Sequence, residues 1–330
     1  MSFRPSHLAI LAAALAPLTA GCGADERPVT TTISSAPATV AVVDSGTPAT
    51  GREVTTPPAG PVSYADAEAA YAGRNYDEAV DLFAAYTRSS PENSWGHYMY
   101  GLSSWKAGDP EQAIAGFDEA LRLDPQHRKS LINSARVLLE TNRPREALER
   151  VERAMGLEPL SGEGLRLLGR ARYELKQIPE AIDAYQRAIA LDERDGWAMN
   201  NLGLIHIQQD RSDAALPILA RAVELRSDSP VFQNNLGTAL ERTGRFAAAK
   251  MAYEAALAAD STYGKAAASL ARVTPHVESD TSTVDLAALV NEFQAEVQRW
   301  RDTTVASVAS EDSTVAPTDS TVSAKDSTVE

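Results

Sequence analysis

Residues 168–188 read LGRARYELKQIPEAIDAYQRA, residues 202–222 LGLIHIQQDRSDAALPILARA, and residues 236–256 LGTALERTGRFAAAKMAYEAA. Superimposed at a spacing of 34, they share a Leu-Gly pair, an alanine, a large residue and a second alanine. The register extends upstream. Ala79, Ala113, Ala147, Ala181, Ala215 and Ala249 form one column; Ala67, Gly101, Ala135, Gly169, Gly203 and Gly237 form another. A third runs Ala120, Ala154, Ala188, Ala222 and Ala256, with Tyr86 the exception in the first repeat. Four residues after the first column stand Phe83, Phe117, Val151, Tyr185, Leu219 and Tyr253, on the same face of a helix. Columns of Gly and Ala facing columns of bulk mean helices that cross at short distance.

Helix punctuation follows the same period. Pro91, Pro125 and Pro159 end a second helix in the early repeats, while Glu193, Ser227 and Ser261 predict softer stops later. Asp109-Pro110 places a capping acid and a first-turn proline at the start of a second helix, and Pro144 and Pro179 stand near the matching place. Together these residues resemble the tetratricopeptide pattern. The resemblance implies an all-α solenoid: a right-handed superhelix of helix-turn-helix pairs whose first helices line a concave wall. Six units fall at 60–93, 94–127, 128–161, 162–195, 196–229 and 230–263. A capping helix at 264–275, ended by Pro275, shields the last apolar face.

The flanks read differently. Leu8 to Leu18 is an apolar run too short to span a bilayer, and Leu18-Thr19-Ala20-Gly21-Cys22 follows. This resembles the lipobox of bacterial lipoproteins, with Thr19 in place of the usual Leu. The resemblance implies a signal peptide at 1–21 and acylation of Cys22, the only cysteine in the chain. Gly23, rather than Asp, after the cysteine implies sorting to the outer membrane. Residues 22–59 are rich in Thr, Ser and Pro and read as a disordered tether. Residues 276–330 carry eleven acids against three bases and repeat Asp-Ser-Thr-Val from Asp312, Asp319 and Asp326. They read as a disordered tail interrupted by one amphipathic helix at 285–301, on Leu286, Leu289, Val290, Phe293 and Val297. That helix is expected to dock on the array's end or to bind a partner.

The net charge of −14 argues against nucleic acid as a partner. One cysteine excludes an intramolecular disulfide and a multi-thiolate zinc site. No two histidines pair at ligand spacing, and no phosphate loop or nucleophile elbow is present, so the chain reads as no enzyme, with no cofactor, metal or small-molecule substrate. By family resemblance the wall is lined by Lys129, Asn133, Arg136, Arg166 and Arg170 in the middle units and by Asn200, Asn201, Asn234 and Asn235 in the later ones. Tyr64, Trp95 and Tyr98 stand in the first two. An amide offers both donor and acceptor, so Asn133, Asn201 and Asn235 suit a peptide backbone. The basic cluster suits an acidic segment, which the chain's own tail could supply. The clamp that some members use for chaperone tails is incomplete: Glu163, Leu167, Val231 and Ser269 stand where it needs other residues. The expected function is a lipid-anchored scaffold in the bacterial cell envelope, facing the periplasm, that binds a protein or peptide. The alternative is an accessory subunit that presents a partner to a separate envelope enzyme or export machine.

Overall fold

The computed structural model describes residues 62–312, and side chains as far as Asp302. The expected signal peptide, Cys22, the tether at 22–59 and the Asp-Ser-Thr-Val repeats beyond Asp312 lie outside these residues. Among the described residues every element is helical, and no helix is long and apolar enough to cross a membrane. The helices pair as α1 (Tyr64–Ala72) with α2 (Tyr76–Ser89), α3 (Ser94–Lys106) with α4 (Pro110–Leu123), and α5 (Arg128–Glu140) with α6 (Pro144–Leu157). Then follow α7 (Gly162–Glu174) with α8 (Ile178–Leu191), α9 (Gly196–Gln208) with α10 (Ser212–Leu225), and α11 (Pro230–Arg242) with α12 (Phe246–Ala259). The array closes with α13 (Gly264–Val273), a 3-10 turn at Thr274–Ser279, and α14 (Leu286–Asp312).

The small columns lie where the two helices of a unit meet. Ala79, Ala113, Ala147, Ala181, Ala215 and Ala249 have no exposed surface. A Cβ on Gly169 would stand 2.8 Å from the Tyr185 ring; on Gly203 it would stand 2.6 Å from Leu219, and on Gly237 2.6 Å from Tyr253. Large residues such as Phe83, Phe117 and Tyr253 are fully buried against these sites, each worth about 1.5–3 kcal/mol of burial. The backbones of successive first helices come close to one another, whereas those of successive second helices do not. The first helices therefore line the inside of the curve.

Caps fix where the helices begin. Asn93, His127, Ser161, Asp195 and Ser229, spaced 34 apart, each accept a backbone N–H at the start of a first helix. The second helices all end at matching places, from Ser89 to Ala259. The stops without proline are thus no softer than those with it. The chain leaves each helix through a hydrogen-bonded turn, such as Asp195 N–H to Asp192 O and Ser229 N–H to Arg226 O, and the next helix's packing fixes the rest. The first unit departs from the period, because α1 begins at Tyr64 and lacks the opening turn that every later first helix has.

A further column was not read from the sequence. Arg74, Gly108, Asn142, Lys176, Asp210 and Gly244, all 34 apart, have positive φ between 57° and 86°. In each unit the next residue donates its N–H to a carbonyl five back, as Asp109 does to Ser104 and Arg143 to Leu138, which is the Schellman ending of a helix. Only two of the six are glycine, so residue type hid the turn.

The C-terminal segment also departs from expectation. The predicted helix at 285–301 runs to Asp312, and it does not sit on the array's end. After Pro275 the chain turns back, and Asp280 Oδ2 accepts from Ala247 N–H at 2.6 Å, capping α12. Helix α14 then crosses the outer face in contact with α10 and α8. Val290, Phe293 and Val297 are buried there, and Arg301 donates to the Ala190 carbonyl at 3.1 Å and pairs with Glu193 at 3.0 Å. The cause is helix α10. Pro217 and Ala220 stand where the preceding unit has Asp183 and Gln186, and Ile218 stands where α6 has Arg150. An outer face without charge has to be covered.

The turn column generates a stability test. Gly108→Ala forces a Cβ into the left-handed region and should cost about 1–2 kcal/mol. Arg74→Gly relieves the same strain, offset by about 0.5–1 kcal/mol of chain entropy, and should leave the protein unchanged or up to about 1 kcal/mol more stable. Thermal unfolding of both variants checks the opposite signs.

Candidate functional site

The inner wall has three chemically distinct stretches, each set by the residue type that a first helix presents. The first two units are aromatic. Tyr64 packs edge-on to Phe83 and Tyr86, and Trp95 packs edge-on to Tyr98 and to the His127 ring at 4.7 Å. The Lys129 ammonium lies 5.2 Å from the Trp95 ring centre. Trp95 remains 47% exposed, an unusual state for so large an apolar side chain. His127 uses its ring to cap α5, accepting from Ser130 N–H at 3.2 Å. Burial lowers its pKa, which keeps the accepting form.

The middle stretch is polar, yet its arginines are occupied. Arg136 pairs with Glu163 and donates weakly to Asn133. Arg166 pairs with Asp195 at 2.9 Å. Arg170 pairs with Glu174 at 3.0 Å and donates to the Leu139 carbonyl at 3.2 Å. Of the basic cluster expected from sequence, Lys129 alone makes no ion pair among the described residues. The cluster is therefore not a free cationic patch, because each guanidinium already holds a carboxylate, from its own helix or from the start of the next first helix.

The last stretch is built of amides. Asn235 Nδ2 donates to Asn200 Oδ1 at 2.8 Å, and Asn200 Nδ2 donates to Asn201 Oδ1 at 3.4 Å. Asn234 Nδ2 reaches Asn235 Oδ1 at 3.5 Å, while its own Oδ1 is buried without a partner. Asn200 and Asn234 are buried, as is Asn133, which donates to the Tyr98 hydroxyl at 3.1 Å. Asn201 and Asn235 are only half-buried. The nine expected wall residues thus divide. Asn133, Asn200 and Asn234 are buried within the wall, Arg136, Arg166 and Arg170 are ion-paired, and Lys129, Asn201 and Asn235 remain accessible.

The ties between first helices share a spacing that sequence reading missed. Tyr98 bonds Asn133, Trp105 bonds Glu140, Tyr173 bonds Gln208, and Asn200 bonds Asn235, all 35 residues apart. One repeat plus one residue is the offset between touching first helices. Polar pairs at that offset were present in the sequence as a signal. Among the described residues, no three of His, Cys, Asp and Glu are placed to hold a metal ion.

The chain belongs to the tetratricopeptide repeat family. Family models of that description match residues 64–128, 132–196, 179–230 and 232–263, more than half of the chain. Several solved structures are similar. MamA from Desulfovibrio magneticus RS-1 is 23% identical, over 49% of this chain and 92% of that one, with a TM-score of 0.47. The thermophilic TPR protein TTC0263 from Thermus thermophilus is 21% identical, over 56% and 100%, with a TM-score of 0.47. A tetratricopeptide repeat protein from Parabacteroides merdae ATCC 43184 is 10% identical, over 63% and 81%, with a TM-score of 0.52. At these identities the likeness is one of fold. No curated protein matches the chain in sequence.

The division of the wall is measurable. Asn200→Ala leaves the Asn235 amide without its buried acceptor and should cost about 1–3 kcal/mol. Lys129→Ala removes an exposed side chain and should stay within about 0.5 kcal/mol of the parent. Urea unfolding midpoints of the two variants test whether the amides of the last units serve the fold.

Proposed function

We propose that the chain is a non-enzymatic interaction scaffold, held at a membrane by acylated Cys22, that binds an extended segment of another protein along its inner wall. One observation carries the reading. After the fold has used its share of the wall, Trp95, Lys129, Asn201 and Asn235 are still accessible. Together they offer an aromatic face, one cation and two amides, spread along units two to six. Such a set suits a peptide held by its backbone and by one or two flat side chains. Because the arginines are paired, long-range charge plays a small part. The sequence at Leu18–Cys22 and the Thr/Ser/Pro-rich residues after it support a bacterial envelope address, at the outer membrane facing the periplasm.

Two experiments test this. Cys22→Ala should move the protein from the detergent to the aqueous phase on partition, since acyl chains contribute about 0.8 kcal/mol per buried CH₂; unchanged partitioning removes the anchor from the reading. Trp95→Ala combined with Asn201→Ala should lower crosslinked capture of the partner from membranes at least tenfold. The loss should vary little between low and high salt, because charge screening over about 8–10 Å does not act on amide and aromatic contacts. Undiminished capture moves the partner site off the inner wall.

A further inference from the structure

The caps of five first helices stand at one repeat position, and one of them differs from the rest in kind. Asn93, Ser161, Asp195 and Ser229 are of side-chain types that do not change charge between about pH 5 and 8, whereas histidine does. His127 caps α5 with Nδ1, which accepts from Ser130 N–H at 3.2 Å and lies 2.8 Å from Ser130 Oγ. With Nδ1 accepting, the ring's own proton sits on Nε2, which is buried without a partner. Ser130 has no exposed surface either.

The same ring supports the aromatic end of the wall. Trp95 packs edge-on to it at 4.7 Å, and the Tyr98 ring lies 5.1 Å away. Lys129, in the first turn of α5, holds its ammonium 5.2 Å from the Trp95 ring centre. Trp95 therefore rests on two residues at the start of α5, and the His127 cap fixes that start. Trp197, at the matching place three units on, rests instead on Phe232 at 4.9 Å, beside the Ser229 cap.

Protonation of the ring undoes this support. Nδ1 becomes a donor that faces the Ser130 N–H. Ser130 Oγ can take the new proton, but the buried backbone N–H is left with neither the ring nor water to accept it. The surroundings set how readily this happens. Burial, the largest effect, opposes the charged ring; Asp124 at the end of α4 favours it, and Lys129 opposes it. From α3 the ring meets Trp95 and the Tyr98 phenol, which burial keeps neutral, while Arg128 is turned to Glu158 at 2.5 Å. The folded protein thus resists the proton more than the unfolded chain does. The cap's contribution is full above the ordinary histidine value of about 6.5 and is lost as pH falls through the lower, folded value.

We propose that His127 is an acid-sensitive latch: its protonation uncaps α5 and releases Trp95 and Lys129 from their fixed places on the inner wall. The latch rests on the scaffold reading only for its consequence. A partner held at Trp95 is let go as pH falls, because a loosened face must be ordered again on binding.

The test uses the full chain carrying Cys22→Ala, without a partner, and with 5-fluorotryptophan at Trp95, Trp105, Trp197 and Trp300. Trp95→Phe assigns its resonance. Between about pH 8 and 5 the ¹⁹F resonance of Trp95 should move, and its solvent-isotope shift should grow, with one midpoint below the ordinary histidine value. Trp197 should not follow. His127→Asn supplies the kind of cap that Asn93 gives α3 and removes the titrating ring, so it should abolish the pH response of Trp95. Thermal unfolding gives a second reading: the parent should lose stability relative to His127→Asn as pH falls. A Trp95 resonance that ignores pH, one that still titrates in His127→Asn, a midpoint shared by Trp197, or a stability difference that is constant with pH overturns the latch. None of these outcomes touches the scaffold reading, whose partner capture is measured separately.

Discussion

The structure depends on how closely the two helices of each unit cross. The contact is made by a small residue and a large one sixteen positions later: Gly101 with Phe117, Gly169 with Tyr185, Gly203 with Leu219, Gly237 with Tyr253. Added Cβ atoms there would fall within 2.6–2.9 Å of the opposing side chain, which real packing does not permit. Where the large residue shrinks to Val151, the small one grows to Ala135, and both remain fully buried. Repeating one crossing six times fixes the offset between units. That offset brings first helices together, keeps second helices apart and so bends the array. Everything on the inner wall follows from the bend.

Bending opens troughs on the outer face, and the sequence treats them unequally. Between α4 and α6 the trough is spanned by Arg150–Asp118 at 2.6 Å and Arg143–Glu111 at 3.7 Å; between α10 and α12 Arg245 reaches Asp213 at 3.1 Å. Between α8 and α10 the positions of Asp118 and Arg150 hold Gln186 and Ile218, so no ion pair can form there, and Ile218 and Ala184 are both buried. An ion-paired trough is content in water. An aliphatic one is not, and α14 fills it with Phe293 and Val297. The docking also explains α14 itself, since an isolated helix with so narrow a stripe is marginal. Two elements that would each be unstable alone satisfy one another.

This pattern marks what the sequence made legible. Columns of identical chemistry, such as the alanines from Ala79 to Ala249, stand out because one physical demand admits one residue type. The αL column from Arg74 to Gly244 carries an equally strict demand on φ, yet four of its residues meet it at a cost in strain, so their identities conceal it. The α14 dock was hidden for another reason. It lies in a departure from the repeat, at Pro217, Ile218 and Ala220, and self-alignment searches for agreement. The wall residues can be placed by repeat position, but position does not say whether a side chain faces a ligand or a neighbour. Arg136 and Glu163 stand in different units, and their pairing follows only from the curvature.

Curvature therefore decides what the wall can recognise. In a shallow array the arginines and asparagines of the first helices would stand apart and keep their hydrogen-bonding capacity for a ligand. Here touching first helices consume it, through ion pairs in the middle and amide ties at 35-residue spacing elsewhere. A ligand that needed Arg166 or Arg170 would have to break a half-buried ion pair, leaving Asp195 or Glu174 uncompensated; Glu174 is already held above its usual pKa by burial, so that cost would be felt. What stays accessible is the open face of Trp95, the exposed Lys129, and those sides of Asn201 and Asn235 that the amide ties do not use. Recognition by such a wall rests on shape and backbone rather than on charge, even though the chain as a whole is strongly acidic.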